Sequence, residues 1–202
     1  MTNVHIASRQ QIRQLIRQKR QGLDQNTHQQ QSLSLAKKLN QHPKIVTAKS
    51  IAIYLTNDGE LSTQDFIEDC WHKDIKVYLP VLHPFSKGHL LFLHYHQHTI
   101  MRQNKYGILE PILNVLDVLP VAEIDIIFTP LVAFDSSGAR LGMGGGYYDR
   151  TLAAWFSQKE SRNKPYPIGL AHDFQQVDKI PTEQWDIPIP EIITPSQHFK
   201  FF

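Results

Sequence analysis

IDIIFTPLVAFDSSGARLGMGGGYYDR, residues 124–150, passes from a β-branched apolar run to a glycine cluster and on into a helical pattern. Ile124, Ile126, Ile127 and Phe128 read as a buried strand closed by Pro130. A second apolar segment, 131–134, leads into Asp135-Ser136-Ser137-Gly138, a turn by composition. Gly142, Gly144, Gly145 and Gly146 follow, then Tyr147-Tyr148-Asp149-Arg150 and a helix carrying Leu152, Trp155 and Phe156. Successive glycines let backbone N–H groups face one concavity and let a ligand approach without meeting a Cβ. A helix beginning just after them adds unpaired N–H groups and its positive dipole end. The pattern predicts a polyphosphate seat, with Arg140 and Arg150 supplying charge on either side. It is no Walker loop, because no Gly-Lys-Ser/Thr follows the glycines. A dinucleotide fingerprint fits poorly, since its glycines belong directly at the strand's end with an acid about 20 residues later.

A segment of the form FD-x-x-G-x-RLG-x-G-x-GYYDR after an apolar strand ending in Pro resembles the 5-formyltetrahydrofolate cyclo-ligase family (methenyltetrahydrofolate synthetases). The resemblance implies an enzyme that converts 5-formyltetrahydrofolate and ATP to 5,10-methenyltetrahydrofolate, ADP and phosphate. It implies ATP contacts at Arg9, Arg13 and Arg140, at the loop Leu141, Gly142, Met143, Gly144, Gly145 and Gly146, and at Tyr147 and Tyr148. Asp149 and Asp186, the latter in a WDIP step, would be Mg²⁺ ligands. Tyr54, Glu60, Tyr106 and Tyr147 would bind the folate, and Arg140, Tyr147 and Asp149 would carry the catalytic roles. Many family members have an acidic residue where Pro190 stands here.

The rest of the chain follows the same order. Residues 8–23 predict a first helix, with Ile12, Leu15, Ile16 and Leu23 on one stripe and Arg9, Arg13, Arg17 and Arg20 on a second. No acid lies in that helix to pair with those arginines. A second helix is expected over 26–40, capped by Asp24 or Thr27 and ended by His42-Pro43. SIAIYL (50–55) reads as a strand. Ser62 with Asp65 suggests a capping box for a helix through His72 that buries Phe66, Ile67, Cys70 and Trp71. Glu60 therefore falls between a strand's end and a helix's start, where α/β folds bind ligands. Its carboxylate suits the paired donors of a pterin's amino group and ring N–H. Strands are expected at 76–82, 89–95, 167–171 and 191–194, an irregular segment at 105–111 and a polar loop at 158–164. His94, His96 and His98 alternate along one strand face, but no cysteine or carboxylate lies near enough in sequence to suggest a metal site.

About five or six short strands alternating with helices predict one α/β domain over 1–202. Its sheet is expected to be mixed but mainly parallel and flanked by helices, a three-layer sandwich. At 202 residues and 41% apolar content the chain can bury a core without metals or disulfides. A net charge of +2 is too small to imply nucleic acid, and the single cysteine, Cys70, fits a reducing compartment. No apolar run reaches the roughly 20 residues of a membrane span, and the N-terminus lacks a signal peptide's apolar core. These features predict a cytoplasmic protein, expected to act as a monomer. Two other classes share parts of the pattern: a phosphosugar isomerase or acyl-CoA-type enzyme using the glycine loop, and an RNA-binding or regulatory protein using the arginine stripe.

Overall fold

The computed structural model describes residues 7–157 and 165–202. The expectations for the first residues of the N-terminal segment and for the polar loop 158–164 lie outside them. Helix α1 (Arg9–Gln21) opens with a capping box between Ser8 and Gln11, which satisfies two end N–H groups at once. Its buried positions are Ile12, Ile16 and Arg20, spaced by four. The expected apolar stripe is thus corrected: Leu15 is exposed, and Arg20 rather than Leu23 completes the inward face.

Asp24 caps α2 (Gln25–Asn40), and Pro43 opens the single turn α3 (Pro43–Val46). Next come β1 (Ser50–Ala52), α4 (Gln64–His72), β2 (Lys76–Leu82), β3 (Leu90–Tyr95), β4 (Met101–Gln103), β5 (Leu109–Pro111) and β6 (Val118–Leu119). Thr63 precedes α4 without a side-chain cap, so the expected Ser62–Asp65 box does not form. The chain continues through β7 (Ile126–Pro130), β8 (Ala133–Phe134), β9 (Arg140–Leu141), α5 (Tyr147–Ser157), β10 (Tyr166–Leu170), β11 (Glu191–Ile193) and β12 (His198–Lys200). Part of the segment expected to be irregular is β5, paired with β4 in a hairpin.

The main sheet runs β12-β11-β10-β7-β1-β2-β3-β6. Its central strands β11, β10, β7, β1 and β2 are parallel, while β12, β3 and β6 join antiparallel at the two sides. Side chains alternate between two cores, as the period of a strand requires. Ile126 and Phe128 of β7 and Ile51 and Ile53 in and after β1 pack with α2 and α4. Ile127, Ala52 and Ile192 pack on the other face with Leu152 of α5. This is the mixed, mainly parallel, helix-flanked sheet that the sequence predicts. Phe66 of α4 meets Phe128 edge-on at 5.6 Å, a geometry that contributes about 1 kcal/mol beyond the area buried.

Helix α1 stands apart from both layers. Ile12 and Ile16 pack with Val132, Ala133 and Leu141 of the β8–β9 region and with Ile180. The helix that carries the arginines is therefore seated against the hairpin that leads into the glycine loop. No helix of the described residues is long and apolar enough to cross a membrane.

Candidate active site

The hairpin β8–β9 delivers the chain to Gly142–Gly146, and α5 leaves from it. Gly144 and Gly146 have φ of +101° and +63°, left-handed values that strain any residue with a Cβ. Gly142 has open space where a side chain would stand. Leu141 is buried at the loop's start, whereas Met143 is exposed. Arg13 donates from Nε to the Gly142 carbonyl at 2.8 Å, and its guanidinium lies within 3.7 Å of where a Gly144 Cβ would stand. Burial, and then the neighbouring Arg9, lower the pKa of Arg13.

The remaining cations are engaged with the protein itself. Arg140 is buried and pairs with Asp149 at 2.7 Å. Burial lowers the pKa of its guanidinium, against the pull of Asp149 and Asp186. Asp149 takes both this bond and the Ile187 N–H on a single oxygen, Oδ1. Arg9 forms a fork with Asp186, which also accepts the Glu183 N–H at 2.8 Å. Burial raises the Asp186 carboxyl, yet the Arg9 hydrogen bond and its neighbours hold it below its ordinary value. Arg150 also stands against the loop. It donates to the carbonyls of Gly88 and Gly145, clamping the glycine loop to the turn between β2 and β3.

A second group gathers at the end of β1. Thr63 Oγ1 donates to the Tyr54 carbonyl at 2.8 Å, tying the strand's exit to the start of α4. Between them Asp58 and Gly59 take left-handed φ of 51° and 70°, which turns Glu60 inward. Burial pushes the Glu60 carboxyl up to about 7, with Arg20 as the leading influence in the other direction. Tyr54 is buried, and its hydroxyl is raised by burial and by Glu60. Tyr148 is raised by burial and by Glu60, while Arg140 opposes the shift. Tyr148 thus lies in the fields of both Glu60 and Arg140. Tyr106, largely exposed, reaches Tyr147 with hydroxyls 3.0 Å apart. That contact joins the segment before β5 to the first residue of α5.

The 5-formyltetrahydrofolate cyclo-ligase family model matches residues 5–195. The chain belongs to that family. It is 49% identical over 187 residues to the 5-formyltetrahydrofolate cyclo-ligase of Escherichia coli K12, covering 93% of this chain and 100% of that one. It is 50% identical over 186 residues to that of Haemophilus influenzae, covering 92% and 96%. The solved 5,10-methenyltetrahydrofolate synthetase of Aquifex aeolicus superposes with a TM-score of 0.79 at 26% identity, over 96% of this chain and 92% of that one. The family is one of enzymes, and this chain is one of them.

Several residues around this cleft have partners that the sequence reading did not assign. Arg17 pairs with Asp58 at 2.8 Å, and buried Arg20 donates to the Leu131 carbonyl at 2.6 Å. His172 is fully buried on the segment after β10, with Nε2 at 3.0 Å from the Gly59 carbonyl. His28 of α2 places Nε2 2.7 Å from the Glu60 carbonyl. Burial lowers the pKa of His172 to about 4, so it serves as a neutral ring donating from Nε2. The four-residue spacing of Ile12, Ile16 and Arg20 is the signal that would have turned Arg20 inward.

A further cluster lies elsewhere. Glu191 Oε2 faces Nε2 of His42 at 2.7 Å and of His198 at 2.8 Å, and Tyr166 donates to Oε1 at 2.7 Å. Burial works against this carboxylate, but the hydrogen bonds from His42, Tyr166 and His198 win and bring its pKa down to about 2. It fastens the start of β11 to α3, β10 and β12. Cys70 is buried and free, its thiol pushed up to about 12 by burial.

Proposed function

We propose that this chain converts 5-formyltetrahydrofolate and ATP to 5,10-methenyltetrahydrofolate, ADP and phosphate. The observation that carries the reading is the placing of Tyr148 between two sets of groups. One is a glycine loop with arginines at its rim, and the other is an inward carboxylate beside Tyr54. The first set suits a polyphosphate and the second a pterin edge. The names of the relatives support the same chemistry.

A formyl oxygen is a poor leaving group, so the ring cannot close unaided. Transfer of the γ-phosphoryl group forms an O–P bond to that oxygen as the bond to ADP breaks. N10 then attacks the formyl carbon and gives up its proton to solvent, and the oxygen departs as phosphate. Phosphoryl transfer asks mainly for positioning and charge neutralisation. Arg13 and the loop N–H groups would hold the phosphates. Arg9 would exchange Asp186 for a phosphate oxygen. Tyr147 and Tyr106 would form the wall beside the formyl group, and Glu60 would accept two hydrogen bonds from the pterin.

Asp149 is bonded to Arg140 and Asp186 to Arg9, and the bonds to Asp149 from Arg140 and the Ile187 N–H fall on one of its two oxygens. Two carboxylates suit a hard cation that completes its shell with water and phosphate oxygens. They would hold Mg²⁺, which when bound shields the phosphate charge from the incoming oxygen.

The test is near-ultraviolet absorbance of methenyltetrahydrofolate when the purified protein meets 5-formyltetrahydrofolate and Mg²⁺, with and without ATP. ATP-dependent growth is expected. No growth, from folded protein that binds ATP, overturns the reading. An RNA-binding use of the arginine stripe is disfavoured by the partners of Arg9, Arg17 and Arg20 within the chain.

A further inference from the structure

We propose that Arg20 is a positioning residue for pterin recognition, fixing the place and the charge of the Glu60 carboxylate from behind. The inference rests on the reading of Glu60 as the folate-binding carboxylate.

Arg20 occupies the last inward position of α1 with only 3% of its surface exposed. Removing a guanidinium from water costs several kcal/mol unless it is well paired. Here Nη2 donates to Leu131, but Nε and Nη1 are buried with no hydrogen-bond partner among the described residues. The carboxylate it faces is Glu60, with Oε1 3.8 Å from Nη1. Leu or Met would pack this position without that cost. What they could not supply is a fixed positive charge beside Glu60.

The loop that carries Glu60 is moulded onto Arg20. A Cβ at Gly59 would stand 2.9 Å from Arg20 Cβ and 3.3 Å from its carbonyl, so a glycine lets the loop lie against the helix. Arg17, one turn earlier, holds Asp58. From the other elements, His28 of α2 meets the Glu60 carbonyl and His172 meets the Gly59 carbonyl. Tyr54 and Tyr148 complete the titratable groups facing the carboxylate, and Asp58 adds a like charge. Among all of these, Arg20 is the chief influence favouring the ionised carboxylate. Without it Glu60 would hold its proton at neutral pH and lose an acceptor that the pterin needs. The same helix places Arg13 at the glycine loop, about 10 Å earlier at 1.5 Å per residue. One rigid rod thus spans the phosphate seat and the pterin carboxylate.

The experiment measures KM for folate and for ATP between pH 6 and about 9 by methenyltetrahydrofolate absorbance. The full-length proteins are wild type, Arg20→Met, Arg20→Gln, Arg20→Lys, Glu60→Gln and the Arg20→Met/Glu60→Gln double variant. Arg20→Met should raise the folate KM at pH 7 about tenfold or more and leave the ATP KM within about twofold. It should also move the midpoint of the folate-KM pH profile upward by about one pH unit or more. Lys should restore most of both. In the Glu60→Gln background Arg20→Met should add less than about twofold, because the group it acts through is gone. Gln keeps a donor for Leu131 and gives the same readings should Met not fold. An unmoved midpoint, or additive effects in the double variant, overturns the proposal. So does loss of fold in all three position-20 variants, which would leave Arg20 a structural role only. Absence of turnover in folded wild type is a separate outcome: it removes the functional reading, and this inference with it.

Discussion

Replacing Glu191 by Gln tests how much of the fold depends on one carboxylate. The side chain keeps its shape but loses the charge that accepts from His42, His198 and Tyr166. Folding lowers the carboxyl from 4.5 to about 2. At about 1.4 kcal/mol per pH unit this corresponds to about 3 kcal/mol, and the part exposure of His198 to water trims it to about 2–3 kcal/mol. The sign follows from the depressed pKa: the stabilisation is fully present above the unfolded value of 4.5 and is lost as pH falls toward about 2. Urea unfolding at pH 7 should therefore show Glu191→Gln weaker by about 2–3 kcal/mol, or roughly 5–10 °C in Tm for a chain of this size. The gap between wild type and variant should shrink by about half near pH 3 and close near pH 2. A gap below about 0.5 kcal/mol at pH 7, or one that does not change with pH, would refute the reasoning.

Other expectations concern the cleft. Asp149→Asn should lower kcat about 100-fold or more while the folate dissociation constant stays within about threefold, since the carboxylate accepts from Arg140 and the Ile187 N–H and none of the groups proposed for the pterin bonds to it; unchanged turnover would remove Asp149 from the reacting end. Glu60 titrates at about 7 in the fold, so folate KM in the wild type should rise about tenfold between pH 8 and 6, and Glu60→Gln should be weak and flat over that range. Its stability linkage has the opposite sign to that of Glu191. A raised carboxyl contributes stability that is present below 4.5 and lost as pH rises through about 7, so Glu60→Gln should be more stable than wild type at pH 8 by urea unfolding. Gly146→Ala forces a Cβ into φ +63° and to 2.9 Å from Arg150 Nη1. It should cost about 1–2 kcal/mol and raise the ATP KM several-fold; normal ATP kinetics would show that the loop's shape does not matter to nucleotide binding.

The sequence by itself determined what local rules control. Short continuous apolar runs gave the buried strands 76–82 and 126–130, and the four-residue spacing of Ile12 and Ile16 gave the inward face of α1. The glycines at 142–146 announced a backbone that side chains could not follow, and two of them do carry positive φ. Among the strands that went unread, β6 and β12 are two or three residues long and owe their existence to a neighbour's open edge rather than to their own pattern. The tertiary structure alone decided the fate of the charges. Four arginines one turn apart looked like a single stripe, yet Arg9 meets Asp186, Arg13 the glycine loop, Arg17 Asp58, and Arg20 the buried back of Glu60. Those partners lie between 41 and 177 residues away along the chain for Arg17 and Arg9. The energy of a charge is set by burial and by what stands within a few ångströms of it, and neither quantity is a local property of sequence.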